Sequence, residues 1–264
     1  MIRTRVTVIT LSQAVERRAQ FAVAAKDAAV EWDFCTACTE VSLPLSYNRR
    51  LAVQHFGRPL SSGEIGCYTS HYKMWQSFVN SNDDQVIVFE DDVLVDWLII
   101  NRLAECNFSK LKIDILRLLA THTFQFDISI HRFISPHSHL LRNRGLFLGT
   151  QGYLLTRRGA EALLSTGTVI AAPVDWVMSR YWEYNVPNYC LFPFPIIERY
   201  TQSTIGSSSR EADHQATTLD RAARLYWRIK NRIMREYMNI VILKKHPFGE
   251  TVDVGDAYID KVLK

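Results

Sequence analysis

Three carboxylates in a row, Glu90, Asp91 and Asp92, directly follow the apolar run Gln85-Val-Ile-Val-Phe89. Adjacent carboxylates at the end of a buried strand repel one another and cost folding energy unless a cation or another partner compensates them. A divalent metal is the simplest compensation, and oxygen ligands suit Mg²⁺ or Mn²⁺, which keep several waters and often bridge to substrate phosphates. A nucleotide diphosphate would complete such a coordination shell, and the ion would neutralise charge developing on the departing diphosphate. By itself, Glu-Asp-Asp fits a solvated acidic turn equally well. Cys35-Thr-Ala-Cys38 has the spacing of a redox or zinc half-site, but no second such pair follows to complete a tetrahedral site. The five cysteines therefore read as plain thiols rather than a disulfide framework.

The elements that must position these groups follow from local pattern. The run 85–89 is short and rich in β-formers, as a buried strand is, and it delivers the acid triplet at its carboxyl end. Residues 3–11 have strand character, and Ser12 is placed to cap an alanine-rich helix running to about Val30. A second helix is expected after Pro59-Leu60, where Ser61 and Glu64 have capping-box spacing. It should run through Phe78 and end in the polar stretch 80–84, with Cys67, His71 and Trp75 on one face. Segments 113–119 and 146–156 read as strands, and 158–164 and 174–184 as helices. This alternation predicts an α/β fold with an open, mostly parallel central sheet, whose ligands sit beyond the carboxyl ends of the strands.

Composition sets the bounds. The chain has 264 residues, 47% hydrophobic and 22% charged, which excludes a disordered or fibrous class and allows one large domain with a small appendage. The serine-rich stretch 202–218 places a boundary near residue 215, dividing a domain at 1–215 from a basic helical segment at 216–264. Residues 219–245 carry eight basic and two acidic side chains, a local +6 against +4 for the whole chain. Ala222, Tyr226, Ile229, Ile233, Tyr237 and Ile240 recur there at three- and four-residue steps, as an amphipathic helix requires. Such a helix can pack on the core with a solvated cationic face, or attach to an anionic membrane surface. No nucleic-acid-binding motif accompanies the charge. The first apolar stretch, Val6 to Leu11, is interrupted by Thr7 and Thr10 and is too short for a signal-peptide core. No run reaches the roughly 20 apolar residues of a membrane span, so the expected compartment is the cytosol.

Several blocks together resemble glycosyltransferase family 25, the bacterial lipopolysaccharide and lipooligosaccharide glycosyltransferases. They are Val8-Ile-Thr-Leu-Ser12 with Glu16-Arg17-Arg18, then Leu60-Ser-Ser-Gly63-Glu64-Ile-Gly66-Cys67-Tyr-Thr-Ser70-His71-Tyr-Lys-Met-Trp75. Val88-Phe-Glu90-Asp91-Asp92-Val93, Gly149-Thr150-Gln-Gly-Tyr153 and Pro173-Val-Asp175 follow in family order. The resemblance implies a GT-A-like single domain that transfers a hexose, galactose from UDP-galactose above all, to a lipooligosaccharide or lipopolysaccharide acceptor with inversion, aided by Mn²⁺ or Mg²⁺. It implies Asp92 and Glu90 as metal ligands. Leu11, Ser12, Arg17, Arg18, Gly63, Ser70, His71, Glu90, Asp91, Gln202 and Ser203 are implied around the donor.

An inverting displacement needs one base opposite the leaving diphosphate. Asp175 is the first candidate, with Glu64 next and Glu198 in reserve. Each residue also has a plainer reading. Asp175 falls in a first helical turn, where the dipole favours a carboxylate, and Glu64 completes a capping box. His71 fits a satisfied core histidine, while Gly63 and Gly66 fit close helix packing. The rival enzyme class, another Mg²⁺-dependent nucleotide enzyme such as a nucleotidyltransferase or phosphohydrolase, would need a phosphate-cradling glycine loop that is not evident. The rival outside catalysis is a carbohydrate-binding or scaffold protein.

Overall fold

The computed structural model describes residues 2–199 and 217–243 and the backbone of Val252–Asp253. The chain opens with β1 (Thr4–Thr10), α1 (Val15–Ala24), β2 (Trp32–Thr36), β3 (Ser46–Tyr47), α2 (Arg49–His55) and α3 (Ser62–Val79). It continues through β4 (Gln85–Glu90), β5 (Val93–Val95), α4 (Trp97–Glu105), α5 (Phe108–Leu111), β6 (Ile115–Arg117), β7 (Phe126–His131) and β8 (His139–Asn143). Then come β9 (Gly152–Thr156), α6 (Arg157–Thr166), β10 (Val169–Ile170), α7 (Val174–Ser179), α8 (Tyr181–Tyr184), β11 (Asn188–Phe192) and β12 (Ile196–Glu198). The described chain ends with α9 (Thr218–Tyr237), one π-helical turn (Met238–Ile242) and β13 (Val252–Asp253).

Nine strands form one sheet in the order β13-β7-β8-β11-β6-β9-β4-β1-β2. The β2-β1-β4 side is parallel, as the βαβ pattern of the first 90 residues requires, while β9 runs antiparallel to both β4 and β6. The sheet is therefore mixed, with its parallel run beneath the acid triplet. Period-two alternation sends Ile87 and Phe89 of β4 into the core under α1 and α4, and Val86 and Val88 into the core under α3 and α6. This is why β4 is apolar from Val86 to Phe89 and why its first carboxylate comes only at its end.

The Ser61–Glu64 capping box forms as expected, and α3 ends at Asn80. Elsewhere the elements are shorter than the pattern suggested. Ser12 does not cap α1, which starts at Val15 behind an uncapped Ala14 and stops at Ala24; the Ser12 hydroxyl instead donates to the side chain of Gln13. The expected strand 146–156 is regular only from Gly152, because Gly149 takes φ +105° and breaks the extended run. The expected helix 174–184 is split at Arg180, whose ψ of 54° is non-helical.

Helix α9 packs along one edge on α2 and α8. Asp220 accepts from Gln54 at 3.0 Å, Trp182 donates its indole N–H to Asn231 at 2.8 Å, and Met238 and Leu243 are buried in the core shared with α3 and α7. Among the described residues no helix is long and apolar enough to cross a membrane.

Candidate functional site

A cleft of about 330 Å³ opens at the carboxyl ends of β1 and β4, against the first half of α3. It is lined by Thr10, Leu11, Gln13 and Arg17 from β1 and α1, Cys38 and Thr39 after β2, Gly63, Cys67, Ser70 and His71 from α3, and Glu90, Asp91, Asp92 and Glu198. Gly66 sits where a Cβ would come within 2.9 Å of the Cys38 carbonyl oxygen. Its lack of a side chain lets α3 lie against the chain leaving β2, an approach that Ser70 Oγ secures by donating to Gly66 O and accepting from the Cys38 N–H, both at 2.7 Å.

The three acids at the end of β4 have different environments. Pairing of Ile9 with Glu90 brings Thr10 alongside Asp91, whose carboxylate accepts from Thr10 Oγ1 at 2.5 Å and pairs with Arg17 at 3.3 Å. Burial nevertheless pushes the Asp91 carboxyl up, against those two partners. Antiparallel pairing of β4 with β9 runs Thr150 back alongside Glu90, which accepts from its hydroxyl at 2.5 Å. Burial works to raise Glu90, but His71, Thr150 and Arg17 outweigh it and hold the carboxyl below its usual range.

Asp92 differs from both. Its Oδ1 is buried with no hydrogen-bond partner, and β12 brings Glu198 close enough to repel it. Burial first, then Glu90, Asp91 and Glu198, raise the Asp92 carboxyl to about 7. A buried anionic oxygen facing three other carboxylates is what a cation would satisfy.

Tyr153 orders the floor of the cleft. Trp75 can only donate, so its N–H at 2.9 Å occupies the Tyr153 oxygen, and the Tyr153 proton is left to point at His71 Nδ1, 2.7 Å away. His71 Nε2 then carries the ring proton and faces Glu90 Oε1 at 3.5 Å. Cys67, His71 and Glu90 have ligand atoms within 4.8 Å of one another and could hold a metal ion. In this arrangement both His71 nitrogens already face partners, Tyr153 and Glu90, and burial drives the free Cys67 thiol well up. The carboxylate oxygens of Glu90 and Asp92 have the chemistry that suits a hard divalent cation.

The expected residues separate on this frame. Leu11, Arg17, Gly63, Ser70, His71, Glu90, Asp91 and Asp92 share the cleft. Ser12 and Arg18 do not line it, and the Arg18 guanidinium lies over Phe34 at 4.9 Å. Glu64 points into a double hydrogen bond with Arg58 at 2.7 and 2.8 Å and closes the capping box. Burial would raise its carboxyl, yet the Arg58 and Ser61 contacts lower it. Gln202 and Ser203 lie outside the described residues.

Asp175 sits behind the cleft, accepting from the backbone N–H of Gly149 at 3.2 Å and of Trp176 at 2.8 Å. It is close enough that the charge of Glu90 helps raise it, although burial is the larger cause. Arg117 had not been expected here. It is fully buried, donates to the Gly149 carbonyl, lies 5.0 Å over Phe147, and has Nε and Nη1 unpartnered, and its positive charge steadies Asp175. A lone arginine inside the apolar run 113–119 was the available signal. Gln13, Thr150 and Tyr153 likewise complete the site, and only pairing across the sheet could place the latter two.

The model of glycosyltransferase family 25 (LPS biosynthesis protein) matches residues 3–178, a span that holds nearly all of this cleft. The chain belongs to glycosyltransferase family 25. Family 25 relatives include a Glycosyltransferase 25 family member of Anopheles gambiae, 30% identical over 107 residues, covering 40% of this chain and 18% of that protein. Procollagen galactosyltransferase 1-A of Xenopus laevis is 31% identical over 146 residues, covering 51% of this chain and 23% of its own length. The probable inactive glycosyltransferase 25 family member 3 of Bos taurus is 33% identical over 114 residues, 42% of this chain and 18% of the relative. The chain thus spans less than a quarter of the length of these family 25 relatives. Among solved structures, the glycosyltransferase GlyE of Streptococcus pneumoniae TIGR4 aligns over 90% of this chain and 63% of its own with a TM-score of 0.38 and 8% identity, too slight a likeness to transfer any residue's role.

Proposed function

We propose that this chain is a metal-dependent hexosyltransferase that moves galactose from UDP-galactose to a lipooligosaccharide or lipopolysaccharide glycan with inversion. The observation that carries the reading is the orphaned, buried Asp92 oxygen after β4, repelled by the carboxylates of Glu90, Asp91 and Glu198. Glu90 and Asp92 would hold Mn²⁺ or Mg²⁺, which when bound supplies positive charge for the departing diphosphate. Arg17, already turned into the cleft by Asp91, would meet a phosphate oxygen. Leu11, Gly63 and Ser70 would border the donor, and His71, through its Nε2 proton, would fix the orientation of Glu90. Asp175 would take the proton of the attacking acceptor hydroxyl, a task helped by the burial that raises it. Glu64, held low by Arg58, is poorly suited to that role.

The name of the Xenopus relative supports galactose as the sugar. The word inactive in another relative's name makes loss of catalysis the competing reading, and the uncompensated Asp92 favours the active one. A panel of nucleotide sugars, titrated with and without Mn²⁺ and followed by thermal shift, tests the proposal. UDP-galactose should raise the melting temperature only with Mn²⁺ present. Equal shifts by all nucleotide sugars, or none by any, would sink it.

Residues 1–215 would carry the chemistry at the cytoplasmic face of a bacterial inner membrane, and the segment 216–264 would hold the enzyme there. Tyr226, Ile233 and Tyr237 of α9 and Ile240 of the π-helical turn after it form a row, each more than half exposed, on the side away from the buried Asp220 and Met238. Each apolar side chain fully withdrawn from water contributes roughly 1.5–3 kcal/mol, and nearby basic residues add attraction to anionic lipid. Replacing Ile233 and Ile240 together by Ser should therefore weaken co-sedimentation with phosphatidylglycerol vesicles at least about tenfold while the melting temperature holds. Unchanged vesicle binding would remove the membrane role.

A further inference from the structure

A second and larger cavity, about 690 Å³, lies between α9 and the ends of α2, α7 and α8. No step of the proposed reaction uses it. Three tryptophans, Trp176, Trp182 and Trp227, form its apolar walls. The Trp182 N–H is spent on Asn231, and the Trp227 ring stacks on His55 at 4.7 Å with 14° between planes.

Facing these rings is a row of positive charge. Arg221, Arg224, Arg228, Arg232 and Arg235 recur at helical spacing along one edge of α9, and the last four line the cavity. Like charges at such spacing oppose the helix, so the row calls for an anion. Arg228 and Arg232 form no ion pair among the described residues. From the opposite wall comes Arg180, 9% exposed, whose guanidinium lies 5.3 Å from the Trp227 ring centroid. One end of Arg180 is bound by Glu183 at 2.8 Å, but its buried Nε has no partner. The positive field is felt locally, since burial and then Arg180 and Lys230 push His55 down to about 4.

Apolar aromatic walls with a few fixed polar groups, in a volume of this size, describe a site for an organic ligand rather than an inorganic ion. Tryptophan faces suit the C–H faces of a sugar ring, and guanidinium groups suit carboxylate or phosphate oxygens bidentately. We propose that this cavity binds an anionic glycan, one carrying a carboxylate or phosphate on a pyranose ring. Trp176 follows Asp175 directly in α7, although Asp175 itself does not line the cavity. Naming the glycan as the acceptor rests on the transferase reading; the binding site itself does not.

The test is tryptophan fluorescence of the full chain, titrated separately with glucuronic acid, glucose 6-phosphate, glucose, inorganic phosphate and a short oligonucleotide. Glucuronic acid and glucose 6-phosphate should give saturable changes, with glucose and phosphate at least about tenfold weaker. The double variant R228E/R232E, at exposed positions where folding should survive, should lose about tenfold or more in affinity for both anionic sugars, the equivalent of about 1.4 kcal/mol. R228Q/R232Q should lose less. The thermal shift with UDP-galactose and Mn²⁺ should be unchanged in both variants, so failure of the donor reading and failure of the cavity reading show in different measurements. Equal binding of glucose, equal binding of bare phosphate, tighter binding of the oligonucleotide, no saturable response, or indifference of R228E/R232E would each overturn the proposal.

Discussion

Asp92→Asn should lower transfer by about a thousandfold or more, since a metal at a departing diphosphate supplies several kcal/mol of charge stabilisation. The same change should make the metal-free protein more stable at neutral and higher pH. In the folded chain the Asp92 carboxyl is raised from 3.8 to about 7, so between those values the folded state holds a proton that the unfolded state has released. Stability of the metal-free wild type therefore falls as pH rises through that window and levels off above about 7. Asparagine carries no such term. The variant and the wild type should melt together near pH 4, and by pH 8 the variant should be ahead by at least about 1 kcal/mol, or roughly 2–4 °C. Mn²⁺ should reverse the order at pH 8, raising the wild type alone. Paired melting curves at both pH values, with and without Mn²⁺, check each part. A variant that keeps its Mn²⁺ shift, or that melts no higher than metal-free wild type at pH 8, would show that Asp92 is neither ligand nor burden.

Residues whose roles are set along the chain were legible in the sequence. β4 is apolar on both faces, so its end, and with it the acid triplet, could be placed at once; Ser61 and Glu64 announced the start of α3, and with it the face carrying Cys67 and His71. What sequence could not give is which acid is satisfied. Asp91 and Asp92 are chemically identical neighbours, and only the β1–β4 register, which hands Asp91 to Thr10 and Arg17, leaves Asp92 orphaned. Arg17 and Arg18 look alike for the same reason, yet a step of 100° around α1 turns one to the cleft and the other to Phe34. Contacts between residues distant in sequence, such as Tyr153 with His71 and Trp75, or Arg117 with Gly149, had no local signature. The amphipathic pattern of α9 was visible, but its orientation was not. Its apolar row faces outward, because the docked edge uses Asp220, Trp227 and Asn231, which no hydrophobic periodicity would select.

Asp175→Asn is expected to reduce turnover by at least about a hundredfold, the lower end for loss of a general base, with the affinity for UDP-galactose and Mn²⁺ little changed. Asparagine can still accept one of the two backbone N–H groups now bound by Asp175, but it cannot neutralise the buried Arg117 beside it. Some loss of melting temperature is therefore expected too, and stability alone does not separate a base from a structural anion. The separating measurement is the split between turnover and donor binding, run beside Glu64→Gln. That second variant keeps the capping box, since a glutamine oxygen can still accept the Ser61 N–H, but it loses the charge and one of the two Arg58 hydrogen bonds, so it should lose roughly 0.5–1.5 kcal/mol of stability while turnover at a temperature well below its melt stays near wild type. If both variants lose turnover only in proportion to their melting temperatures, Asp175 is structural. If Glu64→Gln is instead the one that stops the reaction, Glu64 takes the proton.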